Sequence, residues 1–128
     1  MFNILMIGAG GFLGAISRYL LSSWVGQRLG RTFPMGTFAV NILGCFIIGL
    51  LMTLFTDKLL MSYRWRLFLI IGFVGSFTTF STFEYETGAL LHDGEWFMAA
   101  MNVVLSLFIG FIALKAGEIL ARSIYKPW

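Results

Sequence analysis

From Pro34 to Thr56 the chain runs 23 residues without a charged side chain. An α-helix rises about 1.5 Å per residue, so a run of this length crosses the ~30 Å hydrocarbon core of a bilayer. Pro34 suits the first turn of such a helix, and Asp57-Lys58 closes it. Three more apolar stretches approach the same length of about 20 residues, over positions 4–24, 65–91 and 96–119. Arg18 interrupts the first near its end, and Lys115 and Glu118 fall in the last turns of the fourth. The polar connections are short. The pattern predicts an all-α membrane protein, a four-helix bundle forming one domain over residues 1–128.

Composition supports this reading by exclusion. The chain is 59% hydrophobic and carries nine Lys/Arg against six Asp/Glu. So few charges cannot cover a water-facing surface of this size, which excludes a soluble enzyme, a nucleic-acid-binding domain and a disordered chain. The net charge of +3 comes from basic residues that flank the apolar runs, where they anchor helix ends to lipid headgroups. Cys45 is the sole cysteine and forms no intrachain disulfide. The first apolar run lacks a basic leader and a clear cleavage site, so it reads as a retained span. Gly8-Ala9-Gly10-Gly11 lacks the third glycine and the preceding strand of a nucleotide loop. His92 stands alone in a polar loop, and neither a Cys/His metal pattern nor a Ser/His catalytic motif is present.

Four spans place both termini on one side, together with the connection between spans two and three. That side holds Lys58, Arg64, Arg66, Lys115, Arg122 and Lys126, and the other holds Arg18, Arg28 and Arg31. Six against three is a moderate bias, too small to fix a topology by the positive-inside rule.

The third span departs from a simple lipid-facing helix. Its centre, Gly72 to Phe83, gathers two glycines and five hydroxyl residues. Two readings are open. The helix is interrupted there, buried in protein, with freed carbonyls able to hold a cation. Alternatively it is continuous, and its Ser and Thr bond back to their own carbonyls. Phe80, Phe83 and Glu86 follow at i, i+3, i+6. Such a stripe serves packing, or presents the positive edges of two rings to a small anion. In the second span Thr37, Asn41 and Gly44 form a polar stripe. A mid-depth amide such as Asn41 is either interhelical glue or a donor to a passing anion. Asn102, Ser106, Gly110, Ala113 and Gly117 make a small, polar face on the fourth span, and Gly10 and Gly14 have GxxxG spacing on the first.

Three segments in order, GGFLGAISRY (Gly10 to Tyr19), GTFAVNILG (Gly36 to Gly44) and GFVGSFTTFSTFEYE (Gly72 to Glu86), resemble the signatures of the CrcB/Fluc fluoride channels. Ser76 stands where many members have a second glycine, and Asn102 where some have tyrosine. The resemblance implies an antiparallel, dual-topology homodimer in the bacterial inner membrane. It would conduct fluoride passively outward through two pores, and it would not be an enzyme. It implies a third helix broken mid-membrane and a structural Na+ at the dimer centre, held at that break by the main-chain carbonyls of Gly75 and Thr78. It further implies a fluoride path along Asn41, Phe80 and Phe83, with Thr37, Ser81, Thr82 and Ser106 as hydroxyl donors. Arg18 and Glu86 match recurring family positions of undecided role. Fluoride and membrane lipid are the expected partners, with no nucleic acid. Two rivals remain: a small four-helix multidrug exporter using Glu84 or Glu86 as a proton-coupled cation site, and a non-transporting subunit whose small-residue faces are partner interfaces.

Overall fold

A computed structural model describes residues 1–57 and 62–124. Lys58 and Lys126, both counted in the charge tally, lie outside the described residues. The elements are α1 (Phe2–Leu29), α2 (Met35–Asp57), α3 (Tyr63–Arg66), a π-helical segment (Leu67–Val74), α4 (Gly75–Phe77), α5 (Ser81–His92) and α6 (Trp96–Ile124). Among the described residues four stretches are long and apolar enough to cross a membrane: Phe2–Leu29, Met35–Thr56, Tyr63–His92 and Trp96–Ile124.

Three expectations are corrected here. The helices outrun the apolar stretches, because apolar length sets the crossing whereas backbone hydrogen bonding continues into polar flanks until something stops it. α1 ends where Gly30 turns extended (φ −86°, ψ 95°). α6 reaches Ile124, so Lys115 and Glu118 sit inside it and pair at 2.9 Å. Pro34 precedes α2, its carbonyl accepting from the Phe38 amide at 3.1 Å. His92 is the last residue of α5, 3.3 Å from the Asp93 carboxylate. The tight turn into α6 follows, with Gly94 at φ 78°, a left-handed backbone that glycine adopts without steric cost.

The bundle is built on close backbone approach. α2 packs along α6, and α1 packs on α2, on the π-helical segment and on α4. Lipid is as apolar as a leucine side chain, so small residues that let backbones meet drive the association. A Cβ at Gly49 would strike the Leu114 carbonyl, and one at Gly117 the Phe46 carbonyl. From the expected small face of α6, Gly110 and Gly117 thus lie against α2, and Ala99, Asn102 and Ala121 are also buried on this helix. On α1, a Cβ at Gly10 would meet the Phe68 carbonyl and one at Gly14 the Phe73 carbonyl. Phe68 and Phe73 are five residues apart, the i→i+5 spacing of π-helical hydrogen bonds. One α turn on α1 is therefore matched to one wide turn on its neighbour. Large apolar residues such as Phe12, Tyr19, Phe97, Phe108, Phe111 and Ile119 point outward, as a lipid-bathed surface requires.

The third span changes neighbours halfway. Its first half lies on α1, its second half, α5, lies on α6, and both touch α2. Helical geometry stops at Phe77, Thr78 is extended (φ −88°, ψ 157°), and α5 begins at Ser81.

The glycine contacts set a test. Gly10→Ala drives a methyl into backbone and should destabilise the folded protein by about 1–3 kcal/mol or more. Gly8→Ala, where a Cβ meets nothing within 4 Å, should be neutral or slightly stabilising. Unfolding in detergent micelles, followed by circular dichroism, compares the two. Equal stability would mean that α1 does not dock through Gly10.

Candidate functional site

Where the third span crosses α2, the chain must satisfy backbone groups that no helix serves. Asn41, in the second turn of α2, does so with both ends of its amide. Its Oδ1 accepts from the Thr79 amide at 2.8 Å, and its Nδ2 donates to the Thr79 carbonyl at 2.9 Å. This pairing fixes which way the amide points, because only the oxygen accepts and only the nitrogen donates. The second Nδ2 proton has no acceptor among the described residues. Gly44, one turn on, has no side chain because Thr78 Cγ2 occupies that space.

Thr79 also starts α5. Its hydroxyl accepts the Thr82 amide at 3.3 Å and donates to the Thr82 hydroxyl at 3.1 Å. In an unbroken helix the Thr79 amide would bond the Gly75 carbonyl, and the Thr82 amide the Thr78 carbonyl. Both amides are used elsewhere, so those two carbonyls lose their helical partners. Gly75 is exposed. Oxygen donors of this kind suit a small hard cation.

Beside the crossing lies a groove of about 460 Å³. Its polar lining comes from Asn41, Thr78, Thr79 and Ser106, and Phe80 and Phe83 supply its aromatic wall. Among the described residues no charged side chain lines it. The two rings lie 6.0 Å apart, tilted by 37°; Phe80 is 73% exposed, whereas Phe83 is half-buried. The Ser106 hydroxyl is buried with no hydrogen-bond partner among the described residues.

Sequence matches identify the lineage that carries this arrangement. The family profile described as "CrcB-like protein, Camphor Resistance (CrcB)" matches residues 5–118. The chain belongs to the CrcB-like family. A relative from Geobacter sulfurreducens is 48% identical over 124 residues, covering 97% of this chain and 100% of the relative. Relatives from Solibacter usitatus and Chloroflexus aurantiacus are 46% and 47% identical, covering 92% and 95% of this chain and 97% of each relative. All three bear the name fluoride-specific ion channel FluC. With four helices of spanning length, this CrcB-like chain is a multi-pass membrane protein.

The expected site residues of the CrcB-like chain fall into two groups. Asn41, Phe80, Phe83, Ser106, Gly75 and Thr78 converge on the groove. Thr37, Ser81 and Thr82 do not line it. Thr37 is buried, and its hydroxyl donates to Glu86 Oε1 at 2.8 Å, so its proton is committed to the acid rather than to the groove. Ser81 and Thr82 are exposed in the first turn of α5. Glu86 Oε2 is buried and has no partner among the described residues. Arg18 is half-buried on α1 and does not line the groove. Sequence reasoning missed Thr79, whose backbone carries the crossing, and Thr87, which accepts from the buried Asn102 amide at 2.9 Å. The signal for Thr79 was present: a polar residue in an apolar helix (Asn41) needs a partner, and the hydroxyl-rich stretch of the third span was the natural place to seek it.

The clamp has a local signature. Asn41→Ala removes a donor and an acceptor from buried backbone at about 1–3 kcal/mol. The Thr79 amide should then exchange hydrogen about ten to a hundred times faster, while amides in the middle of α6 hold their wild-type rates. Unchanged exchange at Thr79 would show that the clamp does not hold the crossing.

Proposed function

We propose that this protein is a fluoride-selective channel, not an enzyme, and that it exports fluoride passively across the bacterial inner membrane. The observation that carries the reading is the uncharged groove in which one amide proton, one unpartnered hydroxyl and two tilted rings from three helices converge. The name borne by its relatives supplies the ion. Fluoride is small and holds its water tightly, so a pore must replace that water as it strips it. Asn41 donates its remaining Nδ2 proton and Ser106 its hydroxyl. Phe80 and Phe83 offer ring edges, where the aromatic quadrupole is positive. A fixed lysine or arginine in the groove would bind the anion strongly and slow its release. Chloride is larger and fits poorly. An inside-negative potential drives the anion outward, with no ATP, redox cofactor or proton coupling.

The open side of the groove, with Phe80 and Gly75 exposed upon it, favours a second copy as its cover. We take the assembly to be an antiparallel homodimer with two pores, the third span of each copy interrupted at mid-membrane. The carbonyls of Gly75 and Thr78 fit a structural Na+ between the copies, and the bound ion would offset carbonyl dipoles and tie the copies together. Ser81, Thr82 and Thr37 then lie off the groove as supports of α5. Arg18 attracts anions toward the entrance or braces α1. The exporter alternative is disfavoured because the Glu86 carboxylate is engaged by Thr37 and does not line the groove.

The direct test uses liposomes loaded with potassium fluoride, with valinomycin added and release followed by a fluoride electrode. Rapid fluoride loss without chloride loss is expected. Phe80→Ile and Phe83→Ile should each slow it by about tenfold, the effect of roughly 1.4 kcal/mol at the barrier, with the fold intact. Normal flux through both variants would remove the rings from the mechanism. No flux from folded, inserted wild type would overturn the channel reading.

The assembly is checked separately. Light scattering in detergent should give a dimer whose melting temperature falls when sodium is replaced by a bulky organic cation. A monomer, or a melt indifferent to sodium, would contradict the proposed centre. A tag at residue 1 that is half accessible from outside intact vesicles is the mark of dual topology; full or no accessibility would refute it.

A further inference from the structure

We infer that Asn102, although it does not line the groove, is a positioning residue that sets Phe83 through Thr87. Asn102 is 1% exposed on α6, the helix on which α5 packs. Its Nδ2 donates to the Thr87 hydroxyl at 2.9 Å, and that hydroxyl donates to the Phe83 carbonyl at 2.8 Å. Thr87 lies one helical turn beyond Phe83, so both side chains leave the same face of α5. The relay therefore runs from a buried amide on one helix to the backbone that carries a groove-lining ring on another.

The packing of α5 explains why such a relay matters. Leu90 is its only buried residue, so apolar contact fixes little of its rotation. Polar links do that work: Asn41 to Thr79 before its first turn, Thr37 to Glu86, and Asn102 to Thr87. The first two come from α2, and the last alone of the three comes from α6. A hydroxyl bonded to the carbonyl four residues back also competes with the helix ladder and bends the helix locally. By engaging Thr87, Asn102 holds the hydroxyl in that state. A rotation of α5 away from it would turn the Phe83 ring away from Asn41 and Ser106, with which it lines the groove. A buried amide is a suitable anchor, because leaving it unpaired is costly.

The bearing of this link on conduction rests on the function proposed above, so the test reads the ring without reference to fluoride transport. The full-length protein, in chloride buffer, carries 4-fluorophenylalanine at position 83, and its fluorine resonance reports the surroundings of the ring. Thr87→Val keeps the shape of the side chain and removes the hydroxyl. It should shift or broaden the line and slow fluoride flux by about tenfold, the size one lost hydrogen bond can give. Thr87→Ser keeps the hydroxyl and should restore both. Asn102→Leu should move the line as Thr87→Val does. The same label at Phe55, buried near the end of α2, should not respond. Should Asn102→Leu fail to fold, the Val and Ser pair at Thr87 decides alone. A position-83 line unmoved by Thr87→Val would overturn the inference, and so would Thr87→Ser behaving as Thr87→Val does. If the line moves as expected but wild type retains fluoride in the vesicles, the channel reading fails and the structural link stands.

Discussion

The Asn41 amide, bonded by both ends to the backbone of Thr79, is the interaction on which the rest of the structure depends. In a bilayer an unpaired amide or carbonyl costs several kcal/mol, so a chain can leave helical geometry there only where protein groups replace the lost bonds. Asn41 replaces two at once. It thereby lets the third span end one helix against α1 and start another against α6. The same bonds draw the Thr79 amide away from the Gly75 carbonyl, while the Thr79 hydroxyl draws the Thr82 amide away from the Thr78 carbonyl. One side chain on a neighbouring helix thus supports the change of direction and releases the Gly75 carbonyl, and the Thr79 hydroxyl releases that of Thr78.

Around that point, small residues and hydroxyls divide the work. Gly10, Gly14, Gly49 and Gly117 bring backbones into contact and supply dispersion where no hydrophobic gain is available. Thr37 donates one hydrogen bond to α5, and the Thr79 and Thr87 hydroxyls each accept one and donate one. The outcome is a groove whose lining is apolar with a few aimed donors, the usual composition of a small-ligand site. Its lack of charge follows from its position: an unpaired ion there would be expensive, whereas an amide and a hydroxyl are tolerable.

Much of this could be read from the sequence. The charge-free run from Pro34 to Thr56 and its three companions set the four spans, because a bilayer imposes a length on apolar segments. The small face from Asn102 to Gly117 and the Gly10/Gly14 pair located real helix contacts, because close approach in lipid demands small side chains. Asn41 stands out as an amide in an apolar helix, whereas Phe80, Phe83 and Ser106 are assigned to the ion path through the family resemblance. Other features left no comparable mark. The π-helical turns from Leu67 to Val74 consist of ordinary apolar residues, and their spacing follows from the fit to Gly10 and Gly14. The partners of Thr37 and Asn102 could not be inferred, since a hydroxyl or amide announces that it needs a bond without saying with which helix. Thr37 is expected along the fluoride path from the family resemblance, whereas tertiary packing gives its proton to Glu86. Helices surrounded by lipid are apolar on nearly every face, so periodicity does not identify the inward side as it does in water.

The change of neighbours along the third span has a consequence for how the chain is made. Synthesis runs from the N-terminus, so α1 and α2 exist when the first half of the third span emerges, and its glycine-matched berth on α1 is ready. The second half is different. Glu86 and Thr79 find their partners on α2 at once, but Thr87 meets Asn102 only after the turn at Gly94 and the first turns of α6 have been added. Until then α5 is tethered along one side and free along the other. A helix translated later thus completes the seat of a segment translated before it, and the groove takes its shape only once α6 has been added.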